Sequence, residues 1–171
     1  MLLTTHVLTG AALGSLVGDI PGRGLIAFAV GWASHYVLDA MPHKEKILVS
    51  EDSDETALPI NQWSKGMITQ TAVDILLALS LMGLIVGLKN DFSLVHSPQF
   101  WGALGAAAPD ILDQVPFWNK RIRPKPIFST LWKWHSNIHI SEEAQRKYAN
   151  NWGVVLPIAL MVVALWILFL R

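Results

Sequence analysis

The chain has 171 residues, 52% of them hydrophobic and only 15% charged, with a mean hydropathy of +0.39. That balance suits a small polytopic membrane protein rather than an average soluble domain. A formal net charge of zero argues against nucleic acid as a partner, which would call for a basic surface, and the absence of cysteine excludes disulfides, thiolate metal ligands and cysteine nucleophiles.

Five apolar segments of spanning or near-spanning length follow one another, roughly over 2–20, 23–41, 65–88, 98–116 and 152–170. The first lacks the basic leader of a signal peptide and reads as a retained helix. Pro21-Gly22 makes a tight turn into the second. An acidic loop over 42–64 and a longer basic loop over 117–151 separate the others, the second half of the basic loop having an amphipathic helical pattern. Trp63, Trp101, Trp118, Trp132, Trp134 and Trp152 fall near segment ends, as an interfacial aromatic belt would place them. The expected fold is therefore all-α: one integral membrane domain over 1–171, a bundle of about five transmembrane helices with an additional amphipathic loop helix.

Five spans put the N-terminus and both long loops on one side. That side carries Lys120, Arg121, Arg123, Lys125, Lys133, Arg146 and Lys147, against Arg23, Lys89 and Arg171 on the other. The bias of positive charge predicts that the N-terminus and both loops face the cytoplasm. This topology also sorts the polar residues by depth. His6 lies about one turn into the first span, and His35 and Asp39 lie within about two turns of the end of the second. Asp74 lies about 13 Å into the third span. Asp110 and Asp113 close the fourth, and His135 and His139 sit in the loop on the same side. All converge on one layer, while Asp19 and His96 map to the far interface. His43, beyond Pro42, reads as an exposed residue with either a loop role or a place in the site.

Helix faces point the same way. Ala27, Gly31, His35 and Asp39 form an i, i+4 stripe; so do Gly102, Ala106 and Asp110, and so do His6, Gly10, Gly14 and Gly18. Small residues at this spacing let membrane helices approach closely, so the polar groups should point into the bundle. Imidazoles and carboxylates without cysteine suit Zn²⁺, Mn²⁺ or Fe²⁺, whereas carboxylates alone would suit Mg²⁺ or Ca²⁺. The expected metal ligands are His6, His35, Asp39, Asp110, His135 and His139, enough for two or three ions, with Asp74 or Glu143 as base. Such sites hydrolyse phosphoesters through an activated water. A site at headgroup depth points to a phospholipid or lipid-linked phosphate as substrate. A metal-ion or proton transporter and a non-enzymatic scaffold are the rival readings; the apolar outer halves of the spans speak against a transporter.

The Thr5-His6 opening with its glycine stripe, the Ser34-His35-x-x-x-Asp39-x-x-Pro42-His43 run and the Gly105-x-x-x-Pro109-Asp110-x-x-Asp113 run resemble the YdjM-like family of inner-membrane metal-dependent hydrolases. The resemblance extends from residue 4 to about 143. More distantly, His35-x-x-x-Asp39 with His139-x-x-x-Glu143 is similar to zinc-dependent phospholipase C, an all-α enzyme with a three-zinc site of His, Asp and Glu. These resemblances imply phosphoester hydrolysis; the motif order differs, and no N-terminal tryptophan is available as a ligand.

Overall fold

In a computed structural model, residues 1–43, 64–88, 96–114, 119–122, 124–138 and 152–170 are described. All regular structure among them is helical: α1 (Leu3–Ser15), α2 (Arg23–Asp39), α3 (Lys65–Leu88), α4 (Pro98–Gln114), α5 (Asn119–Ile122), α6 (Pro126–Ile138) and α7 (Val155–Leu170). Each of the five apolar segments thus contains a helix.

Local chemistry explains the boundaries. Gly22 begins the entry to α2 with φ of 75°, a left-handed conformation that glycine adopts without steric cost. Pro42 follows closely on the end of α2, since proline cannot continue a helical ladder. Pro98 takes the first position of α4, where a missing N–H costs nothing, and the Ser97 hydroxyl accepts from the Phe100 N–H at 3.4 Å. Pro126 opens α6 in the same way. The loop helix therefore starts earlier than its amphipathic pattern suggested, and residues 139–151 of that loop lie outside the described residues.

Helix α1 is shorter than the apolar run that contains it. It stops at Ser15, where Val17 N–H bonds back to the Gly14 carbonyl at 3.1 Å. Thirteen residues make a rod of about 20 Å, short of a hydrocarbon layer of about 30 Å. Among the described residues, one helix is long and apolar enough to cross a membrane, over Lys65–Ile85 with mean hydropathy 1.8; Val155–Leu170 is a shorter apolar helix.

Helices α1, α2 and α4 form a tight triangle, with α3 and α7 packed on α1. Backbone meets backbone here because the small-residue stripes face one another. A β-carbon on Gly31 would collide with the Gly102 carbonyl oxygen, and one on Gly10 would stand 2.6 Å from the Ala106 methyl group. Leu8, Ala11, Ala78, Ala103 and Leu168 fill the core around α1. By contrast α3 and α7 turn apolar faces outward, with Leu76, Leu79, Val162 and Trp166 all well exposed.

Candidate metal centre

The site begins with the i, i+4 pair on α2. His35 and Asp39 are both buried, on the face that α2 presents to α1 and α4. The Nδ1 of His35 lies 2.8 Å from the Ala106 carbonyl oxygen of α4. A carbonyl only accepts, so Nδ1 carries the proton in that bond, and Nε2 of the neutral ring presents a lone pair. Pro109 within α4 bears on this contact. A proline in a helix leaves the carbonyl four residues earlier without its helical donor and opens the turn, next to the carbonyl that receives His35.

His35 Nε2 faces three other polar groups. It lies 2.9 Å from Asp39 Oδ2, 3.2 Å from His135 Nε2 and 3.8 Å from Asp110 Oδ1. His135 Nε2 in turn lies 3.3 Å from the same Asp39 Oδ2. One ligand atom from each of His35, Asp39, Asp110 and His135 falls within 4.8 Å of every other, so the four could hold a metal ion. Lone pairs gathered at this spacing repel unless a cation or added protons sit among them. Two imidazoles and two carboxylates match the donor preferences of zinc. The carbonyl behind His35 supplies the outer hydrogen bond that orients a ligating histidine.

No family model matches the chain, and no curated protein or solved structure matches it.

Asp39 uses its other oxygen for a second set of contacts. His6 Nε2 on α1 is 3.1 Å from Oδ1, outside hydrogen-bond alignment, and His6 Nδ1 has no hydrogen-bond partner. The Met1 amino group donates to the same Oδ1 at 3.0 Å. The His6 ring stacks on that of His35 with centroids 4.2 Å apart, so the two imidazoles flank the carboxylate from one side. Asp39 therefore stands between two clusters, as a bridging carboxylate would. A fully buried imidazole with an orphaned nitrogen is costly, and on the Oδ1 side the cation present is the Met1 amino group.

His135 reaches the centre from α6 because that helix is anchored to α2 by aromatic contacts. Tyr36 lies 4.3 Å from Trp134, centroid to centroid, and meets the His135 ring edge-on at 5.6 Å. His135 is thereby buried, while Trp134 and Lys133 of the same helix stay exposed. Asp110 is the most accessible of the four ligand residues, its side chain 18% exposed against 1% for Asp39. It marks the open edge of the centre.

Asp74 has a different environment. Its Oδ2 accepts the Leu3 N–H at 2.6 Å and its Oδ1 accepts the Thr4 N–H at 3.0 Å and the Thr4 hydroxyl. Leu2 offers α1 no side-chain cap, so a carboxylate from another helix takes up the free N–H groups of the first turn. Asp74 is not one of the four gathered groups, and acting as a base would require it to surrender this cap. Asp74→Asn is therefore expected to cost about 1 kcal/mol of stability, the usual worth of a cap, with metal stoichiometry unchanged. Parallel thermal unfolding and metal analysis check this, and loss of metal would return Asp74 to the centre.

His43 departs from its reading as an exposed residue. It is fully buried, with Nδ1 2.7 Å from the Met41 carbonyl oxygen, because the turn at Pro42 folds the ring back onto the end of α2. It does not belong to the four-residue cluster. His139 and Glu143 lie outside the described residues, as does the Asp113 side chain. The role of the Ala106 carbonyl was not read from the sequence, although Pro109 three residues on hinted at an opened turn. Thr4 also went unnoticed, since nothing in its spacing points to Asp74.

Proposed function

We propose that this protein is a polytopic membrane hydrolase that uses zinc to cleave a phosphoester of a phospholipid or lipid-linked phosphate. The observation that carries this reading is the gathering of ligand atoms from His35, Asp39, Asp110 and His135 within 4.8 Å of one another, with the Ala106 carbonyl holding His35 Nδ1 so that Nε2 faces the group. His35, Asp39, Asp110 and His135 would hold one ion, and a second on Asp39 Oδ1 with His6 would take the place of the Met1 ammonium, or bind it as the neutral amine. Zinc bound there would supply Lewis acidity to a phosphoryl oxygen and acidify a water. The chain's own contribution is to fix the ligands before substrate arrives: Tyr36 and Trp134 hold α6, Ala106 orients His35, and Asp110 faces the side from which substrate enters.

Membrane embedding is supported by the outward apolar faces of α3 and α7, which lipid would cover. The resemblance to YdjM-like hydrolases agrees with both the reaction class and an inner-membrane site facing the cytoplasm. Purified protein should contain zinc, lose phosphoesterase activity on dialysis against a chelator and recover it when zinc is restored. Full activity in the metal-stripped protein would sink the proposal. His6→Gln should lower the zinc content from two ions to one per chain, measured by elemental analysis, because it removes the only imidazole on the Oδ1 side among the described residues.

A further inference from the structure

Three cations stand exposed around the loop helix: Arg121 on α5, Lys125 just ahead of Pro126, and Lys133 on α6. A turn ties the two helices together, with the Lys125 N–H donating to the Ile122 carbonyl at 2.9 Å and the Ser129 N–H to the Lys125 carbonyl at 2.8 Å. Among the described residues none of these three cations meets a carboxylate. The sequence offers none close by: from Gln114 to Ser141 it holds five lysines and arginines, Lys120 and Arg123 completing the set, and no acidic residue. The same helix shows apolar surface. Pro126, Thr130, Lys133 and Asn137 share its outer face, while Ile127, 73% exposed, and Trp134, 50% exposed, lie two turns apart on the flank. Its inner face carries His135 to the metal centre.

Positive charge alone would serve topology, but it does not call for a bare isoleucine and a half-bare indole beside it. A membrane interface uses both kinds of group: cations meet anionic headgroups while apolar side chains enter the acyl boundary. We infer that the outer surface of α5 and α6 docks on anionic lipid headgroups of the leaflet beside it. Nucleic acid or an acidic protein would answer the cations and leave Ile127 and Trp134 in water. This rests on the membrane reading alone and requires neither metal nor reaction. Headgroups gathered there would lie about one helix diameter from the metal centre, across α6 from His135.

Native mass spectrometry of the full chain in a neutral detergent tests this, with phosphatidylglycerol or phosphatidylcholine of matched acyl chains as the added lipid. The dissociation constant of the first bound lipid should favour phosphatidylglycerol by about 100-fold, at about fivefold for each of the three cations. Arg121→Gln, Lys125→Gln and Lys133→Gln combined should remove that preference, whereas Ile127→Ser should weaken both lipids by a similar factor. Arg23→Gln, at the opposite end of α2 from the centre and paired with Asp19, should leave the preference unchanged. Circular dichroism checks that the variants keep their helices. Equal affinity for the two lipids in the wild type, or a preference that survives the triple substitution, would overturn the inference. So would tighter binding of a single-stranded oligonucleotide or of polyglutamate than of phosphatidylglycerol in the same detergent. The membrane reading fails separately, as a full chain that stays monodisperse in buffer without detergent.

Discussion

Replacing Asp39 with asparagine is expected to abolish metal binding while leaving the metal-free protein folded. Asp39 is the one side chain that touches both halves of the centre, through Oδ2 to His35 and His135 and through Oδ1 to His6. Asparagine has the same shape, but its amide has no charge and only one oxygen, so it cannot bridge. Metal affinity should fall more than about 100-fold, beyond the cost of losing an outer hydrogen-bond partner. At a zinc concentration of about 100 Kd the wild type should gain about 2.7 kcal/mol of stability from binding, and the variant none. Phosphoesterase activity should disappear with the metal. The stability of the two proteins in chelator and in zinc discriminates further. Loss of the carboxylate also unpairs the buried Met1 amino group, so some destabilisation is expected in chelator under either reading, and the metal centre shows as the additional difference that appears only when zinc is present. Equal zinc-dependent stabilisation of both proteins would remove Asp39 from the site.

The second large effect concerns the backbone contact beneath the centre. Gly102→Ala should cost about 3 kcal/mol, because the new β-carbon would meet the Gly10 carbonyl oxygen and stand 3.1 Å from Gly14 Cα. Both obstacles are backbone, so no rotamer change relieves them, and α1 must move away from α4. For a chain of this size that loss corresponds to a fall in Tm of roughly 6–12 °C. Gly83 of α3, with nothing within 4 Å of a β-carbon, is the control. There alanine should be neutral or stabilising by about 0.5–1 kcal/mol through helix propensity. Thermal melts of the two variants in one detergent make the comparison, and similar melting of both would show that α1 and α4 do not meet as described. Separating α1 from α4 should also weaken zinc binding, since His6 rides on the first helix and Asp110 on the second.

Much of the site was legible because helix periodicity is written in sequence. Four-residue spacing puts His35 with Asp39, Gly31 with His35, and Gly102 with Ala106 and Asp110 on shared faces, and the small residues on those faces permit close approach. Proline or glycine marks the starts of α2, α4 and α6 and the turn after α2 for equally local reasons. The expectation that polar residues converge on one layer came from the number of apolar runs and their assumed alternation, and of those residues His35, Asp39, Asp110 and His135 do gather.

Spacing along a helix settles the face on which a side chain lies, but not how far one helix slides past its neighbour. Asp74 and Asp39 share a depth by counting along their helices, yet one caps α1 and the other anchors the centre. A shift of one turn, 5.4 Å, separates such outcomes, and no pattern within either helix encodes it. The same holds for His135, which could equally have faced solvent on an amphipathic helix until Tyr36 and Trp134 fastened α6 to α2. By itself, then, the sequence determined that this is a helical protein whose histidines and aspartates share faces with small residues. Tertiary packing decided which of them meet, because the Ala106 carbonyl that orients His35 is contributed by another helix, 71 residues away along the chain.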